Sequence, residues 1–288
     1  MLGRVYKAVA AQFTVYGYDD GVRYVCAAKG KLKLSGEIYV GDIVEFDTRE
    51  RIITGMKPRK NSLIRPYVAN VDCVIAVVAP LPEPDFLLVD KIVINAIIEN
   101  LEPIVCVNKT DTDDGTLAER VEKNYGEVAR IVYVSAVKNE IGELIEVIRD
   151  KVVCLAGQSA AGKTSLVNVL TRSEAGEVGS MSEKLSRGRH TTRKNEVFTA
   201  YGALIIDTSG FSELNLPVEN PNGLKDYYAD FSEYAEECKY KGCMHLLESE
   251  ADCGVKRAVI NGRICNERYE RYAELYREVN DAWKKRFL

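Results

Sequence analysis

The segment GQSAAGKT, Gly157 to Thr164, follows directly on the apolar run Val152 to Ala156 and opens directly into a helical pattern over Thr164 to Leu170. No other stretch constrains the fold as tightly. A G-x-x-x-x-G-K-[ST] loop between a buried strand and a helix curls its backbone N–H groups around a phosphate and adds the positive end of the helix dipole. Lys163 is placed to reach the outer phosphates, and the Thr164 hydroxyl is a ligand for Mg2+. Gly157, Gln158, Ser159, Ala160, Ala161, Gly162 and Ser165 complete the expected phosphate-binding set.

Such a loop needs a sheet covered by helices, and the sequence around it supplies one. Val71 to Ala79 and Pro103 to Val107 are near-continuous apolar runs, and Ile131 to Val134 and Ala203 to Asp207 read as further strands. Helical periodicity separates them over Asp85 to Leu101, Leu117 to Tyr125 and Ile141 to Ile148, and a further strand is expected over Glu196 to Tyr201. Strands buried on both faces and alternating with helices predict a mainly parallel α/β sheet. No apolar run reaches the ~18 residues of a membrane-spanning helix, and the first twenty residues alternate apolar and polar positions where a signal peptide would be uninterruptedly apolar. A cytoplasmic protein is expected.

Four further motifs carry chemistry. NKTD, Asn108 to Asp111, follows the strand PIVCV; a carboxylate at Asp111 accepts the ring N–H and the exocyclic amine of guanine, a donor pair that adenine lacks. Asn108 would fix that loop and contact the purine, and the Lys109 stem would cover the ring face. SAVK, Ser135 to Lys138, puts a small residue where the Ala136 N–H can reach the guanine carbonyl. DTSG, Asp207 to Gly210, ends the strand ALIID, so that Asp207 holds the Mg2+ shell and the Gly210 N–H touches the terminal phosphate. In GRHTTR, Gly188 to Arg193, Thr191 or Thr192 would complete the Mg2+ shell. These are the parts of a guanine-nucleotide site, and the expected ligands are GTP or GDP with Mg2+. Their order is rearranged, because the base-reading motifs precede the phosphate loop. A parallel sheet tolerates such a circular permutation, since it depends on which strands are neighbours in space. An ATP-dependent P-loop enzyme is the competing reading of the phosphate loop alone.

The flanks differ from the centre. Arg4 to Ile64 reads as short strands punctuated by glycines, which favours a small β-barrel of the oligonucleotide-binding or the SH3-like type. Residues 1–66 hold 12 Lys and Arg against 7 Asp and Glu, whereas the rest of the chain holds 27 against 36. The basic end is compatible with an anionic partner, although a solvated surface has the same composition. Of 8 cysteines, Cys26, Cys73, Cys106 and Cys154 lie singly in apolar stretches and read as core residues. Cys238, Cys243, His245 and Cys253, spaced C-x4-C-x-H-x7-C, form a set suited to one structural zinc ion, with Cys265 as a reserve ligand. The final segment, Glu267 to Leu288, is a charged helix whose stripe of Tyr269, Tyr272, Leu275, Tyr276 and Val279 reads as a packing face.

In its rearranged motif order, its preceding barrel, the junction RKNSLIRPYVANVD, GRHTTR and the Cys–Cys–His–Cys set, the chain resembles, along almost its whole length, the ribosome small-subunit-dependent GTPases of the RsgA/YjeQ type. The resemblance implies an oligonucleotide-binding (OB-fold) barrel over 1–66, a permuted GTPase domain over 67–217 and a zinc-binding helical domain over 218–288. It also implies late maturation of the bacterial small (30S) ribosomal subunit as the role, contact with its 16S rRNA, and GTP hydrolysis stimulated by that subunit. A monomer is the default expectation. The alternative is an rRNA-binding module for which the nucleotide is only a conformational ligand. Two departures stand out: Ser209 replaces the family's usual proline, and Ala160 and Ala161 stand where Gly and Val are common. The residue after Gly210 is Phe211, which cannot orient an attacking water. The family assigns that task to a histidine at the position of His190, with Lys163 stabilising charge; an exposed loop residue or an RNA contact is the other reading of His190. The neighbouring Lys184, Arg187, Arg189, Arg193 and Lys194 suit either RNA phosphates or solvent.

Overall fold

The computed structural model describes residues 1–9, 11–29, 37–64, 67–178, 196–207, 214, 216–218 and 220–286. Its first five strands are β1 (Leu2–Val9), β2 (Gln12–Gly17), β3 (Arg23–Ala28), β4 (Ile43–Asp47) and β5 (Ile52–Met56). They pair in the order β1-β2-β3-β5-β4, and β4 pairs back onto β1, which closes the barrel. Only β3 and β5 run parallel. That Greek-key closure is the oligonucleotide-binding type, and it removes the SH3-like alternative. Alternation in the strands turns Val5, Phe13, Val15, Cys26, Val44, Phe46 and Ile53 into one core.

A short hairpin, β6 (Ser62–Ile64) with β7 (Tyr67–Ala69), joins the barrel to the centre. Two buried asparagines clamp it. The Asn61 side chain exchanges hydrogen bonds of 2.8 and 3.0 Å with the Val71 backbone, and Asn70 donates to the Gly41 carbonyl at 3.0 Å. Buried backbone groups that would otherwise lack partners are thereby satisfied.

The centre comprises β8 (Cys73–Val78), α1 (Phe86–Ile98), β9 (Glu102–Asn108), α2 (Thr116–Tyr125), β10 (Arg130–Val134), α3 (Gly142–Ile148), β11 (Val152–Ala156), α4 (Lys163–Val178), β12 (Glu196–Ala200) and β13 (Ala203–Asp207). Strand order is β10-β9-β8-β11-β13-β12, parallel except for β12, and a pairing of Lys7 with Glu196 continues this sheet into the barrel. All six residues of β8 are buried because each face meets a different layer. Val74, Ala76 and Val78 share a core with Phe86, Val89, Val93 and Val121; Cys73, Ile75 and Val77 share one with Leu144, Val147, Leu166 and Leu170. The continuous apolar runs of the sequence are the signature of this double burial. Helix α4 runs eight residues past the expected Leu170, because apolar periodicity ends before the helix does.

The last part holds short 3-10 turns, α5 (Ser232–Ala235), α6 (Gly254–Ile260) and α7 (Asn266–Lys284). The expected stripe on α7 is a packing face: Tyr272, Leu275 and Val279 are buried, with Tyr269 and Tyr276 against the same core, which also takes in Ile94 of α1. Among the described residues no helix is long and apolar enough to cross a membrane.

Candidate nucleotide site and metal centre

The parallel strands β8, β9, β10, β11 and β13 all end on one edge of the sheet, so the segments after Val78, Asn108, Val134 and Ala156 meet there beside the end of β13 at Asp207. The order reverses direction between β8 and β11. Loops leaving those two strands diverge, and such a switch point opens a crevice at the carboxyl edge.

The phosphate loop fills one wall of that crevice. Gly157 has φ +127°, and a Cβ there would lie 2.4 Å from the Val77 carbonyl; Gly162 has φ +99°, and a Cβ would lie 2.2 Å from Asn108 Nδ2. Both positions need glycine because the loop passes too close to its neighbours. Lys163 Nζ donates to the carbonyls of Gly157 at 2.7 Å and Gln158 at 2.9 Å. Burial holds its pKa below the usual lysine value, and the Asp207 carboxylate works in the opposite direction. Thr164 Oγ1 donates to Asp207 Oδ2 at 3.2 Å, so the two oxygens expected to share Mg2+ are already adjacent although 43 residues apart in the chain.

NKTD and SAVK close the other wall. Asn108, 1% exposed, donates from Nδ2 to the Ala161 carbonyl at 3.0 Å and accepts from the Ala136 N–H at 3.4 Å. One side chain thus joins NKTD, SAVK and the phosphate loop. Lys109 takes a left-handed backbone, φ +63°, and its Nζ donates to the carbonyls of Ala160 at 3.0 Å and Leu81 at 2.7 Å. Ser135 Oγ donates to Asp111 Oδ1 at 2.5 Å and accepts from the Lys138 N–H at 3.1 Å. A fully buried serine therefore aims the half-buried carboxylate before any ligand arrives. Ser159 and Ser165 lie on the loop and in the first turn of α4, both exposed. Gly210, His190, Thr191 and Thr192 lie outside the described residues, as do Phe211, Ser209 and the basic residues flanking His190.

Sequence reasoning missed one wall. Gln158 was expected to contribute as a loop position, yet its side chain reaches across the crevice to the segment Pro82–Asp85. It accepts from the Asp85 N–H at 2.6 Å and donates to the carbonyls of Glu83 at 2.9 Å and Pro82 at 3.3 Å. The closely spaced prolines of PLPEPD were the available signal, since they mark a stiff, non-helical connection.

In the C-terminal part, the ligand atoms of Cys238, Cys243, His245 and Cys253 lie within 4.8 Å of one another. His245 Nδ1 is 3.6 Å from Cys238 Sγ and 3.4 Å from Cys253 Sγ, and those two sulfurs are 4.0 Å apart. A tetrahedral zinc ion with ordinary bond lengths requires about 3.8 Å between sulfurs and about 3.6 Å between sulfur and nitrogen, so the donors fit the ion. Backbone N–H groups point at the sulfurs, Gly254 to Cys238 at 3.3 Å and Lys256 to Cys253 at 3.4 Å, as a thiolate set needs. Burial, then the Lys225 ammonium, holds the His245 imidazole below its usual pKa, which keeps it neutral and free to bind a cation. Tyr269 donates to the His245 carbonyl at 2.6 Å and Tyr272 to the Met244 carbonyl at 2.8 Å, so α7 fixes the ligand-bearing loop. Cys265 is not part of this set. It stands at the N-cap position of α7 without a side-chain cap hydrogen bond, and its Sγ donates to Asn124 Oδ1 at 3.4 Å, so the reserve ligand lies outside the compact set.

Comparison with known proteins agrees with this geometry. A family model described as RsgA GTPase matches residues 56–217. A small ribosomal subunit biogenesis GTPase RsgA of Caldanaerobacter subterraneus subsp. tengcongensis is 37% identical, with 99% of this chain and 98% of that protein aligned. The protein so named in Thermotoga maritima is 38% identical over 94% of each chain. Among solved structures, YjeQ from Thermotoga maritima superposes with a TM-score of 0.78 at 33% identity, covering 96% of this chain and 98% of that one. YloQ, described as a circularly permuted GTPase, gives a TM-score of 0.74 at 27% identity, covering 98% and 95%. With similarity this close to full length, a shared barrel and permuted sheet, and the phosphate loop, NKTD and SAVK gathered on one edge, the chain belongs to the RsgA GTPase family.

Proposed function

We propose that this chain is a GTPase that acts on the small ribosomal subunit during its late maturation, hydrolysing GTP to GDP and phosphate when it docks there. The observation that carries the reading is Asn108, whose one carboxamide ties the guanine-reading loops to the phosphate loop and so makes a single pocket of motifs up to 53 residues apart in the chain. The relatives named for small-subunit biogenesis supply the partner. The basic barrel gives that partner's RNA a surface of opposite charge. The chain is read as a cytoplasmic monomer with its units dividing near residues 66 and 217.

In this reading Asp111 selects guanine, Asn108 and Ala136 fix the base, and the Lys109 stem covers one ring face. The loop from Gly157 to Ser165 offers its N–H groups to the phosphates. Lys163 exchanges its bonds to the Gly157 and Gln158 carbonyls for phosphate oxygens, whose negative charge works against the lowering of its pKa by burial. Mg2+, bound with the nucleotide, would be held by Thr164, Asp207 and one of Thr191 and Thr192, and would neutralise charge developing on the phosphates. Phe211 offers no polar group to the water, so His190 is assigned that task, with the docked subunit closing the segment that carries it. Zinc on Cys238, Cys243, His245 and Cys253 acts as a structural staple for a part of the chain rich in short turns.

Single-turnover hydrolysis of GTP with and without purified small subunits tests the function. The rate rises by roughly tenfold or more when subunits saturate the protein. Tight subunit binding with an unchanged rate would instead favour an RNA-binding module that only holds its nucleotide. Metal analysis tests the staple separately: one zinc per chain is expected, and Cys253→Ser should lower zinc retention and release the folded C-terminal part, read as loss of near-ultraviolet tyrosine dichroism.

A further inference from the structure

The loop positions of a G-x-x-x-x-G-K-[ST] motif act through their backbones, and the motif accepts any side chain at Gln158. In this chain that side chain makes three hydrogen bonds, all to one segment. Oε1 accepts from the Asp85 N–H, and Nε2 donates to the Pro82 and Glu83 carbonyls. The target is itself anchored on both sides. Asp85 is the N-cap of α1, its Oδ1 accepting from the Leu88 N–H at 2.9 Å. Leu81, at the other end, accepts from Lys109 Nζ at 2.7 Å, and the same ammonium holds the Ala160 carbonyl. The Glu83 carboxylate is bound by Arg120 of α2 at 2.8 Å.

The location gives these bonds a consequence. Gln158 stands where β11 and β8 part, the place at which an open α/β sheet leaves its crevice and where the first loop residues have no neighbouring strand to hold them. The end of the phosphate loop is fixed by Asn108 at Ala161, and its middle by Lys109 at Ala160. Its beginning is fixed by the glycine contact with Val77 and by Gln158. Without the carboxamide, the first N–H groups of the loop and the Leu81 anchor for Lys109 lose their common support.

We propose that Gln158 is a positioning residue for the nucleotide: it clamps the start of the phosphate loop to the Leu81–Asp85 segment and so holds the phosphate side and the base side of the pocket in register. The inference rests on the guanine-nucleotide reading of the site and adds a residue whose side chain acts through neighbouring backbone. It makes ground-state binding depend on Gln158 while the group that handles the water lies elsewhere.

The test is equilibrium titration of the full-length protein with fluorescent GDP and GTP, together with steady-state hydrolysis. Gln158→Ala should raise both dissociation constants and the KM for GTP by about fivefold to twentyfold, with kcat at saturating GTP within about twofold of wild type. Gln158→Glu supplies the second arm. Its carboxylate keeps the acceptor for the Asp85 N–H but faces the two carbonyls without a donor, so it should bind at least as poorly as the alanine variant at pH 7.5. On protonation it regains a donor, and its deficit relative to wild type should shrink as the pH falls towards 5.5. A purely structural role would lower the melting temperature of both variants while the folded protein bound normally and the pH profile ran parallel to wild type. That outcome, or unchanged affinity, overturns the inference and leaves the site reading intact. If wild-type protein binds no guanine nucleotide, both fall together.

Discussion

Asp111→Asn should cost the protein roughly 10²- to 10⁴-fold in affinity for GTP and GDP and turn its preference towards xanthine nucleotides. Guanine presents a ring N–H and an exocyclic amine side by side, and a carboxylate accepts both. Hydrogen bonds to a charged group are worth about 1.5–3 kcal/mol each, and about 1.4 kcal/mol is tenfold in affinity. The geometry also fixes which end of the substituted amide meets the base. Ser135 Oγ donates to Asp111 Oδ1 at 2.5 Å and is itself held by the Lys138 N–H. In the variant the same hydroxyl keeps the amide oxygen as its acceptor, which leaves the NH2 facing the base. That donor clashes with the guanine amine and pairs with the carbonyl that xanthine carries in its place. Competition titrations with GDP, XDP and ADP read the outcome. Equal losses for GDP and XDP would show that the carboxylate acts on the loop alone.

Asp90→Ala should destabilise the protein by about 3–5 kcal/mol, the range for stripping one partner from a buried ion pair. Asp90 of α1 is fully buried. It accepts from Tyr125 at 2.8 Å, from Arg268 at 3.1 Å and from Arg271 Nε. Arg268, 2% exposed, also binds Asp230 at 2.8 and 3.2 Å, and Arg271 reaches Asn124 at 2.9 Å. Burial opposes the Arg268 charge, but Asp90 and Asp230 more than offset it and raise its pKa. Removing Asp90 leaves Arg268 with Asp230 alone and Arg271 with only the longer, exposed contact to Glu267 at 3.9 Å, at the interface between α1, α2 and α7. The exposed pair of Lys151 and Glu102, at 3.2 Å, is the control, and Lys151→Ala should cost less than about 1 kcal/mol. Urea unfolding followed separately by dichroism and tyrosine fluorescence checks both variants. A cost below about 1 kcal/mol for Asp90→Ala would mean that apolar packing around Ile94 carries this interface without the charges.

The two predictions differ in how far a sequence announces them. The meeting of Asp111 with Ser135 was legible because NKTD and SAVK each follow a buried strand of one parallel sheet, and the phosphate loop elsewhere gave the two short motifs a common reading. The central sheet was legible for a similar reason: residues buried on both faces, as in CVIAVV, admit few alternatives to a parallel interior strand. The barrel was legible only as a class. Its OB-type closure depends on β3 pairing with β5 across β4, a long-range choice that alternation within each strand does not encode. Asp90, Arg268 and Arg271 were hidden because charges at helical spacing describe a solvated face equally well, and the partners stand 178 and 181 positions apart. Gln158 was hidden in a motif that is indifferent to its side chain. The metal cluster was legible because three cysteines and a histidine crowd into sixteen residues, from which Cys265 stands apart.

A crystal structure of the full-length protein with a non-hydrolysable GTP analogue is the most direct measurement. The guanine edge should lie within about 3 Å of the Asp111 carboxylate, with the terminal phosphates on Lys163 Nζ and the loop from Gly157 to Thr164. A nucleotide bound with its base away from Asp111, or phosphates seated off the loop, would contradict the single pocket that Asn108 assembles.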